Sequence, residues 1–249
     1  MALPPVGAQL LVFGAKYNLN TDTDLILDCV ARAGYAGVEG AAKDHARYRR
    51  QLDERGLRFG ATHTGVGALR DVTPLVQMLE TLGGADVNIS GLLTWEGRTL
   101  EDYRGAIAIM NEAGRRLRDA GIHLHYHNHD FEFEKVDGEK TGMDLLLDGL
   151  DFDAVDLCVD VAWVLRGGAD PATFLRAHRD SIGFLHFKDH DGEQWSELGR
   201  GQVDYAGVMA VLPELTGARW VMIEQDSTRM DPCDSAAISR AYLRETFGY

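Results

Sequence analysis

No stretch of about 18 consecutive apolar residues occurs in this chain, so no segment reads as a membrane-spanning helix. Cysteine is scarce. Cys29, Cys158 and Cys233 are far apart, odd in number and without a CxxC pair, which argues against a disulfide framework and a thiolate zinc site and favours a reducing compartment. Basic charge is also short, with 25 Lys and Arg against 39 Asp and Glu, a formal net charge of −14 and no long Lys/Arg block. Non-specific duplex binding needs a basic face that neutralises phosphates, so nucleic acid is not an expected partner. The first residues, MALPPVGAQLLVFGAKYN, lack a basic n-region and a long apolar core, and are not expected to act as a signal peptide. These absences point to a cytoplasmic protein that needs neither membrane nor nucleic acid.

What is present is regular. The 249 residues contain 45% hydrophobic and 26% charged side chains, with no low-complexity linker, as expected for one globular domain over 1–249. Eight short apolar runs read as strands: QLLVFG (9–14), AGVEG (36–40), RFGATH (58–63), DVNISG (86–91), HLHYHN (123–128), VDLCVD (155–160), IGFLHFK (182–188) and WVMIEQ (220–225). Helical signals separate them. Thr73-Pro74 opens a helix that the paired glycines 83 and 84 close. Thr99 with Asp102 forms a capping box ahead of Leu100, Tyr103, Ile107, Met110, Ala113 and Leu117 at helical spacing. Asp170-Pro171, Asp204 and Asp234 can start later helices. Strands alternating with helices imply parallel pairing, and eight such units in about 250 residues imply an α/β fold closed as a (β/α)8 TIM barrel. A doubly wound open sheet is the alternative. No GxGxxG follows the first strand to favour it, and GVGALR at 65–70 lacks the third glycine.

The most unusual segment is HLHYHNH, residues 123–129, with histidine at every second position. In an extended strand His123, His125, His127 and His129 share one face, in tiers about 7 Å apart. One ion with bonds near 2 Å cannot use all four, so any further ligands must come from other strands. In a (β/α)8 barrel the active site lies at the C-terminal strand ends. Those ends supply Glu39, His63, His127, Asp160, His186 with Lys188, and Glu224. Burying so many ionisable groups is costly without partners, and a shared ion would satisfy several. His127, Asp160, His186 and Glu224 are the expected ligands of one divalent metal. Two imidazoles and two carboxylates suit Mn²⁺, Co²⁺, Zn²⁺, Fe²⁺ or Ni²⁺ better than Ca²⁺ or Mg²⁺. His123 and His125, deeper in the strand, are expected to be structural. Candidate substrate contacts are His63, His129, Trp163, Glu39 and Arg200, the last within DHDGEQWSELGRGQ, a loop that reads otherwise as a simple turn.

LHYHNHDFEF, VDVAW followed by GGADP, FLHFKD and VMIEQD resemble the xylose-isomerase-like barrels grouped as sugar phosphate isomerases and epimerases, most closely over 122–226. That family includes ketose 3-epimerases, inosose isomerases and inosose dehydratases. The resemblance implies metal ligands at the ends of strands five to eight, falling on His127, Asp160, His186 and Glu224. In the ketose 3-epimerases the fifth-strand ligand is a glutamate, and two opposed glutamates shuttle the proton. Here that position is His127, so the YHNHDFEF form looks more like the dehydratase and keto-glycoside branches. Glu132 or Glu134 could restore a second carboxylate.

The expected activity is isomerisation or epimerisation of a keto-sugar or inosose by proton abstraction next to its carbonyl. Glu224 is the candidate base, and Lys188, His129 or Glu132 the candidate acid. The same charge-stabilised intermediate could instead lose a β-substituent, which would make the chain a dehydratase or lyase on an inosose or 3-keto-glycoside. An apurinic endonuclease on this barrel would need further histidines, and Trp163 occupies one of those places. A non-catalytic sugar-binding barrel is the remaining reading. The expected partner is a small carbohydrate. A homo-oligomer is compatible with the sequence without being indicated by it.

Overall fold

The computed structural model describes residues 3–94 and 98–249. Eight parallel strands close into a barrel: β1 (Val6–Gln9), β2 (Gly37–Glu39), β3 (Arg58–Gly65), β4 (Asp86–Ser90), β5 (His123–His127), β6 (Val155–Asp160), β7 (Ile182–Phe187) and β8 (Val221–Ile223). Each pairs with its neighbours in chain order, and β1 pairs with β8 to complete the ring. The register fixes which side chains meet at the mouth: Gln9 lies beside Glu39, Ser90 beside His127, and Asp160 beside His186.

The outer layer contains α1 (Thr23–Ala33), α2 (His45–Asp53), α3 (Thr73–Leu82), α4 (Leu100–Asp119), α5 (Gly142–Gly149), α6 (Val161–Arg166), α7 (Pro171–Ala177), α8 (Tyr205–Val211) and α9 (Pro232–Phe247). The capping box before α4 forms in both directions, with Asp102 N–H donating to Thr99 Oγ1 and Thr99 N–H to Asp102 Oδ2. The apolar face behind it buries Tyr103, Ile107, Met110, Ala113 and Leu117. Asp170 and Asp204 cap α7 and α8 as their spacing predicts.

The barrel interior holds a small cluster of Ala61, Cys158, Phe184, Trp220 and Met222, separate from the larger core between strands and helices. Met222 reaches across toward β1 and β3, where a Cβ on Gly7 or Gly60 would overlap its side chain. Glycine at these positions lets one long side chain plug the barrel below the mouth. Beneath the mouth, His125 Nε2 bonds Asp86 Oδ1 at 2.9 Å, and Asp86 also accepts from Arg219. His123 stacks on His125, so this deeper pair is structural, as expected from its depth.

Three expectations are corrected. The first strand is Val6–Gln9, not 9–14: the apolar LVFGA run forms a 3-10 turn, Leu11–Ala15, which turns Val12 and Phe13 into the core. The strand ends where Leu10 N–H bonds Glu39 O and pairing with β2 stops. The last helix starts at Asp231, which caps Cys233 N–H ahead of Pro232, with Asp234 inside the first turn. Cys29 and Cys233 form a disulfide across 204 residues. Barrel closure packs α1 against α9 and brings the two Cα atoms to 5.4 Å, a proximity that linear spacing does not reveal. The case for a reducing compartment is weakened accordingly. Among the described residues no helix is long and apolar enough to cross a membrane.

Candidate metal centre and active site

The ends of β5 to β8 bring His127, Asp160, His186 and Glu224 together at the barrel mouth. One donor atom from each lies within 4.8 Å of the others, and all four residues are buried. His127 Nε2 stands 3.5 Å from Asp160 Oδ2 and 3.6 Å from Glu224 Oε2. Two bonds of about 2.1 Å, set roughly 90–110° apart, separate their donors by about 3.0–3.5 Å, so these spacings suit one ion. Among the described residues neither ring nitrogen of His127 has a hydrogen-bond partner, nor does Asp160 Oδ2. Buried polar atoms are normally satisfied, and unpartnered donors converging on one point are what an ion would satisfy. Burial alone would lower the pKa of His127 and His186. The surrounding carboxylates, joined for His186 by Cys158, raise both instead. The pocket therefore attracts positive charge, and its donor set fits a divalent transition metal.

Each of the four side chains is held by a specific contact. Asp160 Oδ1 caps α6 by accepting from Ala162 N–H and Trp163 N–H, which leaves Oδ2 aimed at the centre. Asn128 clasps the same strand end, accepting from Asp160 N–H and donating to its carbonyl. His186 Nε2 donates to Glu39 Oε2 at 2.8 Å, while its Nδ1 faces Glu224. Burial would raise the Glu39 pKa, but His186 and His63 hold the carboxyl far below its usual range. Ionised Glu39 accepts at both oxygens, from His186 and from His63 Nδ1 at 2.9 Å. His63 Nε2 then takes the Ser90 hydroxyl. With Nε2–H held by Glu39 and Nδ1 bonded to Glu224 Oε2, an ion would take the place of the Nδ1 proton, the carboxylate–imidazole arrangement that orients metal ligands. Both Glu39 oxygens are committed, so Glu39 positions His186 rather than contacting substrate. His63 remains 5.0 Å, ring to ring, from His127 and partly open to the mouth.

Lys188 is completely buried beside the four ligands. Its ammonium lies 2.7 Å from Asp226 Oδ2, 3.4 Å from Glu224 Oε1 and 4.0 Å from Asp160 Oδ2. Burial would lower its pKa, but these three carboxylates raise it, so it stays charged. Trp195 and Trp163 cover it at 4.2 and 4.9 Å from their ring centres. His129 completes that wall, 5.0 Å from both Trp163 and His127. Burial, His127 and Lys188 together push its pKa down to about 2, so it is neutral and cannot serve as a cationic acid.

Two candidates do not reach the cluster. Glu132 accepts from the Tyr126 hydroxyl and from His129 N–H, both at 2.7 Å. Tyr126 alternates with the inward-facing His125 and His127 and packs in the outer core. Glu132 is therefore held behind β5, where it positions the His129 backbone. Burial raises its pKa to about 7. Arg200 is half exposed and pairs with Glu197 at 3.3 Å. The glycine-rich loop around it presents no free amides of the expected kind: Asp189 accepts from Gly199, Gly201 and Val203 N–H, so the segment is the simple turn.

Asn128, Asp226, Ser90 and Trp195 belong to the site without having been expected from the sequence. Asp226 follows Glu224 by two residues, as Lys188 follows His186, so strand alternation could have found it. Trp195 arrives on a hairpin of Asp189–His190 with Trp195–Ser196, which the turn dipeptide Asp191-Gly192 between them could have signalled.

The barrel and its rim define a class. The profile of the xylose isomerase-like TIM barrel matches residues 27–246, and the chain belongs to that family. Among curated proteins it is similar to an inosose dehydratase from Geobacillus kaustophilus, 22% identical, with 88% of this chain and 86% of that protein covered. Among solved structures, a sugar phosphate isomerase/epimerase from Parabacteroides distasonis superposes with a TM-score of 0.82 at 22% identity, over 98% of this chain and 94% of that one. A D-allulose 3-epimerase from Methylomonas sp. superposes with a TM-score of 0.76 at 19% identity, over 98% and 99% of the two chains.

Proposed function

We propose that this chain is a divalent-metal-dependent isomerase or epimerase that removes the proton next to the carbonyl of a keto-sugar or inosose. The observation that carries the reading is the convergence of unpartnered His127 Nε2 and Asp160 Oδ2 with His186 Nδ1 and Glu224 Oε2, beside the buried Lys188 ammonium. A divalent ion held by these four would polarise the carbonyl and offset the negative charge that develops on its oxygen. Manganese, cobalt, zinc, iron and nickel are all compatible with the donors.

The protein's own groups divide the remaining work. Glu224 presents Oε2 to the centre and Oε1 to Lys188, and Oε1 is the oxygen placed to take the C–H proton. Asp226 holds Lys188 at 2.7 Å independently of Glu224, so the ammonium stays in place when Glu224 becomes protonated. Trp163 and Trp195 close that side against water and offer flat faces to a sugar ring. The neutral His129 is placed to bond a substrate hydroxyl, while His63, bonded to Glu39 and Ser90, shapes the mouth beside it. Return of the proton to the other face, or to the adjacent carbon, completes epimerisation or isomerisation.

The asymmetry of the site favours a second outcome. Across from Glu224 stands His127 rather than a second carboxylate, and the nearest proton donor is Lys188. After C–H deprotonation, loss of a β-hydroxyl with a proton from Lys188 releases water, and loss of a β-alkoxy group releases an alcohol. This is the dehydratase or lyase reading on an inosose or 3-keto-glycoside. A cytoplasmic location is part of this reading, and the Cys29–Cys233 bond counts against it.

The test is exchange of the proton next to the carbonyl of a panel of keto-sugars, inososes and 3-keto-glucosides in D₂O, followed by NMR with metal content measured in parallel. One equivalent of metal, lost in His127→Ala and Asp160→Ala, together with exchange abolished in Glu224→Gln, is the expected result. Full exchange by Glu224→Gln with its metal bound would overturn the base assignment. No metal after reconstitution would overturn the mechanism.

A further inference from the structure

We infer that the natural substrate carries an apolar substituent on its sugar ring, as an aryl or comparably hydrophobic glycoside does, and that this group lies over the ends of β1 to β3. The inference rests on reading the centre as a keto-sugar site and adds what surrounds it. A cavity of about 470 Å³ begins at Glu39 and His63 and extends away from the four ligands. Its large apolar side chains are Leu10, Leu11, Phe13, Leu19, Ile26 and Met78, with Gln9, Lys43, His45 and Thr62 as further polar lining. Leu11 is 52% exposed at the surface, an unusual position for a large apolar side chain in this protein.

A free keto-hexose bears a hydroxyl on almost every carbon, and each buried hydroxyl needs a partner. The β1–β3 side offers few. Glu39 has both oxygens taken, and His63 is already bonded at both nitrogens. Gln9 Oε1 accepts from Leu11 N–H, and Thr62, Lys43 and His45 are the polar side chains left on this wall. The β6–β8 side is the opposite: Lys188, Asp226, Trp163 and Trp195 gather charge and aromatic faces against the same centre. A ligand with a polar ring and an apolar extension matches that division, and the cavity is continuous with the centre because Glu39 and His63 bound both. Apolar pockets of this size with a few polar groups at one end are the usual form of small-molecule sites.

The test uses pairs of unreactive probes, the methyl and phenyl β-glycosides of glucose and of galactose, titrated calorimetrically into the metal-loaded protein. The phenyl member should bind at least tenfold more tightly in at least one pair, and Leu11→Asp and Leu19→Asp should each bring that ratio below tenfold. A ratio below tenfold in both pairs, or one that survives both substitutions, overturns the inference. The keto-sugar reading is judged separately by the exchange experiment. Exchange without a phenyl preference removes only the apolar subsite, whereas a phenyl preference without exchange of any keto-sugar leaves the subsite and removes the chemistry.

Discussion

Removing the Cys29–Cys233 bond should destabilise the protein substantially while leaving its chemistry alone. The bond closes a loop of 204 residues between α1 and α9. In the chain-entropy treatment, a cross-link over a loop of that length withholds about 5 kcal/mol of freedom from the unfolded state. That figure is an upper value, because native packing and residual unfolded structure usually reduce it. For a chain of this size 1 kcal/mol moves the melting midpoint by about 2–4 °C, so a fall of roughly 10–20 °C is expected. The folded state should lose little, since α9 is also held by the Tyr35 hydroxyl, just past α1, donating to Ala236 O, and by the pairing of its cap Asp231 with Lys16. The assay is denaturant and thermal unfolding of the oxidised protein, the reduced protein and a Cys29→Ala/Cys233→Ala variant. Agreement of the last two within about 1 kcal/mol would separate the cross-link from packing effects of the substitution. Proton exchange into substrate should be unchanged, because the bond joins two helices of the outer layer and neither cysteine is among the residues at the mouth. A variant that unfolds within about 1 kcal/mol of the oxidised protein would refute the reasoning.

Two further predictions address the site. Glu39→Gln should weaken metal binding by about 10- to 100-fold without abolishing it, because the amide no longer fixes the His186 tautomer; equal affinities in competition with a chelating dye would show that Glu39 has no such role. The pH dependence of stability should reflect His129, whose pKa falls from 6.5 to about 2 on folding, chiefly through burial. Below pH 6.5 the unfolded chain takes up a proton that the folded chain refuses. Stability should therefore fall as pH drops from about 6.5, by about 1.4 kcal/mol per unit for this one group. His129→Gln should have a shallower slope between pH 6 and 4, and identical slopes would contradict the assignment.

Much of the site is legible in the amino-acid order because a barrel converts sequence position into place. Once eight strand–helix units are counted, the last residue of each strand must stand at one rim, and period-two alternation decides which side chains point inward. His127 and Asp160 end β5 and β6, and His186, Lys188 and Glu224 fall within one residue of the ends of β7 and β8; the family resemblance then singles out four of the five as a ligand set. The capping box at Thr99 and the Asp170-Pro171 start are equally local, since a cap is completed within four residues.

What the linear pattern cannot carry is anything set by a partner distant in sequence or by a turn just past a strand end. Glu132 follows the strand that bears His127, yet the 3-10 turn Phe131–Phe133 takes it behind the sheet to Tyr126. Arg200 depends on which acid lies within reach, and that is Glu197. LVFGA has the composition of a strand but finds no free edge to pair with, so it folds over the barrel end instead. Cys29 and Cys233 meet only because the first and last helices become neighbours when the ring closes. The repeating unit and the chemistry of each strand end are properties of the amino-acid order, because both are written in spacings of two and of three to four residues. Which groups face one another is a property of the closed ring, because contact across it depends on curvature and register and not on distance along the chain.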